Sequence, residues 1–204
     1  MKPDRIPLFP LNVVLFPDTR IPLHIFEPRY KIMIARCLEE PIVFGMVLSP
    51  SGGLRSVGCT AAVSQVLRTH SDGRMDVLAV GRDVFQIDRM IDEKPYFEAL
   101  VQYLEDEPVS DPSFRREELL RLFRECHSRV FGEPGGSDRG DINLTYRLAS
   151  TLPLDLSYKQ ELLEMRSEMQ RRSRLIDILQ EWLPRFERNA RVRAKAAGNG
   201  HSQE

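Results

Sequence analysis

The sequence predicts an α+β fold, with a β-rich part over residues 1–108 followed by a small α-helical bundle over residues 113–192. Two observations support this prediction. Before residue 108 the apolar segments are short, rich in β-branched and aromatic residues, and separated by glycine, proline or aspartate, as strands are. After the acidic, proline-containing stretch 105–113, apolar residues recur with a period near 3.6, which is typical of amphipathic helices.

The opening segment, RIPLFPLNVVLFPDTRIPLHIFEPRY over residues 5–30, combines many apolar residues with five prolines. Each proline fixes its φ angle and lacks an amide hydrogen, so the segment cannot be one long strand or helix. We expect short extended pieces joined by turns. Five apolar residues are expected to fix the first strands as part of the core: Leu8, Val13, Leu15, Leu23 and Ile25.

Strands are predicted over five further segments, 42–48, 57–67, 75–81, 84–87 and 96–104. The clearest link between two of them is SDGR at 71–74, because Asp72 and Gly73 suit the positive φ angles of a tight hairpin turn. Neighbouring strands are therefore expected to be antiparallel.

One helix is predicted to interrupt the β-rich part. Pro28 suits the first turn of a helix, and the apolar residues near it recur at helical spacing. These residues are Tyr30, Met33, Ile34, Cys37 and Leu38. This helix face is expected to plug one end of the sheet.

Three or four helices are predicted in the second half. One apolar stripe consists of Leu119, Leu122, Phe123, Cys126 and Val130. A later stripe consists of Leu175, Ile176, Leu179, Trp182, Leu183 and Phe186. Between the two stripes Asp155 is expected to cap a helix, and the tail 193–204 is predicted to be disordered because it has little apolar surface to bury.

The composition excludes several classes of function. A formal net charge of −1 on 204 residues favours neither nucleic acid nor a membrane surface. Three widely spaced cysteines without a CxxC pair indicate a reducing compartment and argue against a zinc-cysteine site. There is no leader-like segment and no apolar run near the roughly 20 residues that a membrane span requires. We therefore expect a cytoplasmic protein without membrane association.

No motif for catalysis or for a cofactor stands out. The glycine-rich loop GEPGGSDRG lacks the lysine of a phosphate-binding loop. The four histidines are scattered, without an HExxH motif or a pair at helical spacing, and His24 is interpreted as a partly buried structural residue. No serine or cysteine has a base placed beside it by local spacing. The sequence therefore predicts a protein that is not an enzyme and needs neither metal nor cofactor.

The last predicted helix is basic, since residues 166–204 contain nine lysines and arginines against five acidic residues. Arg185, Arg188 and Arg191 lie near one helix face. A solvated helix end explains them, because cations suit the negative end of the helix dipole. Contact with nucleic acid is the alternative explanation.

Several blocks of the sequence together resemble a known family. PLFPLNVVLFPDTRIPLHIFEPRY, FGMVL, VGCTAAVSQVLRTHSDGRMDVLAVGRDVFQI and YFEALVQYLEDE follow the order and spacing of the LON domain, the N-terminal substrate-binding domain of ATP-dependent Lon proteases (protease La). LASTLPLDLSYKQELLE resembles the helical segment after it, so the resemblance covers residues 5–183. Asp18 departs from it, since the family often has glycine after FP. The resemblance implies a PUA-like β pseudo-barrel with an appended helical bundle.

The resemblance also implies a function. In a full Lon protease this region precedes an ATPase and a Ser-Lys peptidase, and no residue of this sequence matches the motifs of either. We therefore expect a stand-alone, non-catalytic module that binds unfolded or apolar polypeptide segments in protein quality control, with a separate protease or chaperone as a further candidate partner. The expected contact residues flank the turn or enter the first helix: Phe16, Pro17, Pro22, His24, Phe26 and Tyr30.

Two alternatives remain open from the sequence. The opening apolar residues could all belong to the core, which would leave no exposed site among them. The protein could instead bind RNA, because some PUA-like folds do so, and Arg185, Arg188 and Arg191 would then supply the phosphate contacts.

Overall fold

A computed structural model describes residues 2–40, 42–51, 53–135 and 143–198, with side chains up to residue 189. Six strands and five helices lie within these residues. The strands are β1 (Arg5–Leu11), β2 (Arg20–Ile25), β3 (Phe44–Leu48), β4 (Val57–Thr69), β5 (Met75–Ile91) and β6 (Glu98–Leu104). The helices are α1 (Pro28–Glu39), α2 (Arg116–Phe131), α3 (Leu144–Thr151), α4 (Leu156–Glu164) and α5 (Glu168–Gly198).

The strands form one sheet that closes on itself. Their order is β2-β5-β4-β3-β1-β6, and β5 also pairs with β6. Five strands thus complete a ring, while β2 is attached to the outside of the ring through the first part of β5. The α+β prediction and the β pseudo-barrel are confirmed by this arrangement.

The interior of the ring is small and apolar. Ile6 and Leu8 of β1 contact Phe85 of β5 in a cluster of their own, separate from the larger core. Two glycines leave room for the Phe85 ring, because a Cβ atom on Gly45 would lie 2.6 Å from its Cζ atom and one on Gly58 would lie 2.8 Å from it. The interior of the closed sheet is therefore filled by Phe85 and its apolar neighbours rather than left as a channel.

The β4–β5 hairpin forms as predicted, but in its turn only Gly73 has a positive φ, of 78°, and Asp72 does not. The expectation that all neighbouring strands are antiparallel is wrong for one pair, since β1 and β3 run parallel. A parallel pair needs a long crossover connection, and here β2 and α1 form that connection. The two segments predicted as separate strands, 75–81 and 84–87, belong to the single long strand β5.

Helix α1 covers the outer face of β1, where the Tyr30 and Phe9 rings lie 4.2 Å apart between centroids. Its predicted apolar face is buried except at Leu38, which is exposed. In α2, Leu120 is buried instead of the predicted Leu122, which is only half-buried. Asp155 is the residue that precedes α4, but its side chain caps no backbone amide.

Helices α2 to α5 pack together and against the barrel. The Gln160 amide of α4 donates a hydrogen bond to the Val57 carbonyl oxygen of β4 at 3.0 Å. The Phe16 ring, in the β1–β2 loop, stacks on Tyr146 of α3 with centroids 5.2 Å apart. The region predicted as a tail, 193–204, begins inside α5, and residues 199–204 lie outside the described part of the chain.

Candidate functional site

The structure separates the six predicted contact residues into two groups. Phe16, Pro17 and Tyr30 are buried, which corrects the expectation that they are partly exposed. Phe16 is covered by Tyr146 of α3, and Tyr30 by Phe9 of β1. These aromatic side chains fill interfaces between elements, so in this conformation they are not available to a partner.

Pro22, His24 and Phe26 are exposed and lie along β2 and just after it. They alternate with the inward-pointing Leu23 and Ile25, because successive side chains of a strand point to opposite faces. Phe26 is 58% exposed, and its ring stacks on the His24 imidazole with centroids 5.9 Å apart.

We call this surface the β2 face and define it as Pro22, His24 and Phe26 with Asp76 and Leu78 of the neighbouring strand. Asp76 and Leu78 lie directly opposite His24 and Pro22 in the β2–β5 register. Among the described residues no strand pairs with the other side of β2, so β2 is an edge strand beside this face. An edge strand presents backbone groups with which an added extended chain can pair.

Two histidines converge on one carboxylate at the β2 face. His24 Nδ1 lies 2.6 Å from Asp76 Oδ1, and His70 Nε2 lies 2.9 Å from Asp76 Oδ2. Hydrogen bonds from the two imidazoles hold the pKa of the Asp76 carboxyl below its usual value. Sequence reasoning missed this group because spacing along the chain does not show which residues a sheet register places opposite each other.

A cavity lies where β6 leads into the bundle. It has a volume of about 340 Å³, and its lining includes Asp106, Val109, Glu168, Arg171 and Arg172. The charged groups at its wall bind mainly one another: Arg171 Nη2 lies 2.6 Å from Asp106 Oδ2 and 3.0 Å from Glu168 Oε2. We therefore interpret these ion pairs as structural contacts that hold the segment after β6 against α5.

The three residues of the nucleic-acid alternative lie on α5. Arg185 and Arg188 are exposed, and the Arg185 guanidinium lies 3.4 Å from the Tyr158 hydroxyl. The Arg191 side chain lies outside the described residues. Neither described arginine is part of the β2 face.

The cysteines offer no reactive group at either surface. Cys37, Cys59 and Cys126 are buried free thiols. Burial raises the pKa of Cys37 and of Cys126 to about 11, and it raises that of Cys59 further. A thiol is nucleophilic as its thiolate, so these residues are structural.

Within the described residues, no helix has both the length and the apolar character needed to cross a membrane.

The structure of this chain is similar to those of two solved Lon N-terminal domains. The structure matches a Lon N-terminal domain protein from Xanthomonas campestris with a TM-score of 0.66 at 25% identity, over 85% of this chain and 97% of that one. It also matches the N-terminal domain of the Mycobacterium avium complex Lon protease with a TM-score of 0.66 at 17% identity, over 86% of this chain and 98% of that one. The fold is that of a Lon N-terminal domain.

The family follows from the sequence. Residues 5–181 match the model of the ATP-dependent protease La (LON) substrate-binding domain, and the chain belongs to this family. Relatives include the Lon protease of Parabacteroides distasonis, at 25% identity over 94% of this chain, and that of Escherichia coli K12, at 26% identity over 95%. The match covers 26% and 27% of those proteins, so the chain spans about a quarter of their length.

Proposed function

We propose that this protein binds extended or unfolded polypeptide segments at the β2 face, as a non-catalytic recognition module. The observation that carries the proposal is the exposed aromatic Phe26 at the end of an edge strand, in a chain that belongs to a substrate-binding family. Phe26 has the highest exposed fraction of the large hydrophobic side chains among the described residues, and together with Pro22 and Leu78 it offers an apolar contact surface to a partner segment.

The open side of β2 supports binding by strand addition. In this mode, main-chain hydrogen bonds give affinity, and side chains at alternate positions of the added strand give specificity. Pro22 has no amide hydrogen, so β2 cannot offer a continuous row of donors along both of its edges.

The proposed role is in protein quality control. The family match is to the substrate-binding domain of Lon proteases. A module of this kind would hold an unfolded chain and present it to a separate protease or chaperone. We propose that it acts in the cytoplasm and cleaves nothing itself.

The test is a binding titration of the labelled protein with a reduced, permanently unfolded protein and with its native counterpart. We expect binding of the unfolded form only, with the mass of that form unchanged afterwards. Phe26→Ser should weaken this binding at least tenfold without changing the melting temperature by more than about 2 °C, because an exposed side chain contributes little to stability.

The matched control is Phe131→Ser. Phe131, at the end of α2, is 52% exposed and therefore as accessible as Phe26, but it lies in the helical half. Equal loss of binding in both variants would indicate nonspecific adhesion to exposed aromatic rings. Unchanged binding in Phe26→Ser would refute the β2 face as the site.

Nucleic-acid binding through α5 stays the alternative, and the same titration separates it. Phosphate contacts make affinity fall steeply with salt, whereas burial of apolar surface does not. If a single-stranded RNA bound instead, with an affinity lost in 300 mM salt and in Arg185→Ala/Arg188→Ala, the polypeptide proposal would be replaced.

A further inference from the structure

Three side chains with metal-binding atoms meet at the β2 face, although they are distant in the sequence. They are His24 on β2, His70 just after the end of β4 and Asp76 on β5. Their ligand atoms all lie within 4.8 Å of one another. Among the described residues, this is the only group of three or more histidine, cysteine, aspartate or glutamate side chains that is arranged so closely.

The sheet fixes two members of the group relative to each other. His24 and Asp76 are direct partners in the antiparallel β2–β5 register, and directly opposed side chains have Cβ atoms about 5 Å apart. This register is set from within, because Leu23 and Ile25 on either side of His24 are buried in the core. A slip by one residue would expose them.

The hairpin turn fixes the third member. The His70 amide donates to the Arg74 carbonyl oxygen at 2.8 Å, and the Gly73 amide donates to the His70 carbonyl oxygen at 3.0 Å. Both bonds hold the backbone of His70 at the turn, next to β5. The three ligand positions are therefore placed by strand pairing and turn geometry rather than by a long flexible loop.

We propose that His24, His70 and Asp76 form a binding site for a divalent zinc ion. Two imidazole nitrogens and one carboxylate oxygen are a donor set that zinc accepts, with a further coordination position left for water or a partner group. Zinc requires donor atoms about 3.3 Å apart for tetrahedral bonds near 2.0 Å. The two hydrogen-bonded pairs, now 2.6 and 2.9 Å apart, would have to widen to this spacing, and any wider pair, at most 4.8 Å apart, would have to close to it. All three side chains are partly exposed, which leaves room for such shifts.

Metal binding would replace the hydrogen bonds seen between these groups. In the present arrangement Asp76 accepts one hydrogen bond from each imidazole. To bind zinc, His24 Nδ1 and His70 Nε2 must present lone pairs, so each ring carries its proton on the other nitrogen. The carboxylate then binds the ion directly and supplies the negative charge that the two neutral rings lack.

The cysteines do not compete for the ion. All three thiols are buried, and the ligand form of cysteine is the thiolate, which burial disfavours. Bound zinc in the folded protein would therefore report on the histidine cluster. The zinc proposal does not rest on polypeptide binding, although His24 and Asp76 also belong to the β2 face, and its test uses no polypeptide.

The experiment is calorimetric titration of the untagged, chelator-treated protein with zinc chloride, repeated with cobalt chloride while the visible absorption of the cobalt ion is recorded. We expect one zinc ion per chain and a cobalt spectrum typical of four or five ligands. His24→Gln and His70→Gln should each weaken zinc binding at least about tenfold, the lower end of the loss seen when even the outer partners of metal ligands are removed.

His127→Gln is the matched control, since His127 lies on α2 and its Nδ1 atom is 2.8 Å from the Glu133 carbonyl oxygen, away from the cluster. This variant should bind zinc as the parent does. Circular dichroism of each variant verifies that it is folded. The proposal is overturned if the parent binds no zinc at 1 mM, or if His24→Gln and His70→Gln bind it as tightly as His127→Gln does.

Discussion

Replacing Glu168 by glutamine should destabilise the protein severely, because this carboxylate neutralises two buried arginines. Glu168 is buried, and so are Arg171 and Arg172. Its Oε2 atom accepts from Arg171 Nη2 at 3.0 Å, and its Oε1 atom accepts from Arg172 Nε at 3.3 Å. Oε1 also accepts from the Thr145 hydroxyl at 2.8 Å, which ties α5 to α3.

The expected loss of stability follows from the partners that Arg171 and Arg172 keep in Glu168→Gln. Arg171 keeps Asp106, whose Oδ2 atom lies 2.6 Å from Arg171 Nη2. Arg172 keeps hydrogen bonds to the carbonyl oxygens of Pro112 and Phe114, and the more distant, exposed carboxylate of Asp111 compensates its charge only weakly. A buried charge that loses its counter-ion costs about 3–5 kcal/mol. Since a domain of this size loses about 2–4 °C per kcal/mol, the melting temperature should fall by roughly 10 °C.

The assay is chemical denaturation followed by circular dichroism, with Glu161→Gln as the control. Glu161 also pairs with an arginine in two hydrogen bonds, at 2.6 and 2.9 Å to Arg174, but this pair is partly exposed. Its removal should cost at most about 1 kcal/mol. A loss below 1 kcal/mol for Glu168→Gln, or an equal loss for both variants, would refute the account of the buried network.

Three further predictions concern the barrel and the thiols. Gly45→Ala should lower the free energy of unfolding by about 1–3 kcal/mol because its Cβ atom would meet the Phe85 ring at 2.6 Å, and Phe85→Leu should restore part of that loss in the double variant, as denaturation of all three would reveal. Burial alone would raise the pKa of Glu98, but hydrogen bonds from Lys94 and Arg5 outweigh burial and hold that pKa below its usual value. The resulting stability is present above the unfolded pKa near 4.3 and is lost as the pH falls through the folded pKa. Glu98→Gln should therefore be less stable than the parent at pH 7, and this difference should shrink as the pH is lowered below about 4. A thiol reagent at pH 8 should label none of the three cysteines within minutes in the native protein and all of them in 6 M guanidinium, and fast labelling of the native protein would contradict their burial.

Most elements of the fold could be predicted from local features of the sequence. The turn at Gly73, the start of α1 at Pro28 and the change of period after residue 105 each depend on near neighbours, and each occurs in the structure. The parallel pairing of β1 with β3 could not be predicted from local features. It depends on where the crossover through β2 and α1 returns the chain, which is a property of tertiary packing.

The candidate site was predicted less well, for a physical reason. Phe16 and Phe26 are both phenylalanines of the same proline-rich segment, and nothing local indicates that Tyr146, 130 residues away in α3, covers the first and leaves the second exposed. The cluster around Asp76 was invisible for the same reason, since Asp76 follows His24 by 52 residues. Only the register of β2 on β5 brings them together.

The contact between Phe16 and Tyr146 has a consequence for how the protein unfolds. The loop that carries Phe16 is also tied to the barrel, because the Gly81 amide donates to the Thr19 carbonyl oxygen at 2.9 Å and the Asp18 amide donates to the Gly81 carbonyl oxygen at 3.0 Å. If the helices detached from the barrel, the Phe16 ring would lose its contact with Tyr146 and become exposed to solvent, and the β1–β2 loop would lose that packing contact. The β-rich and helical halves should therefore melt in one cooperative transition rather than two, and a fragment consisting of the barrel alone should self-associate through the uncovered ring.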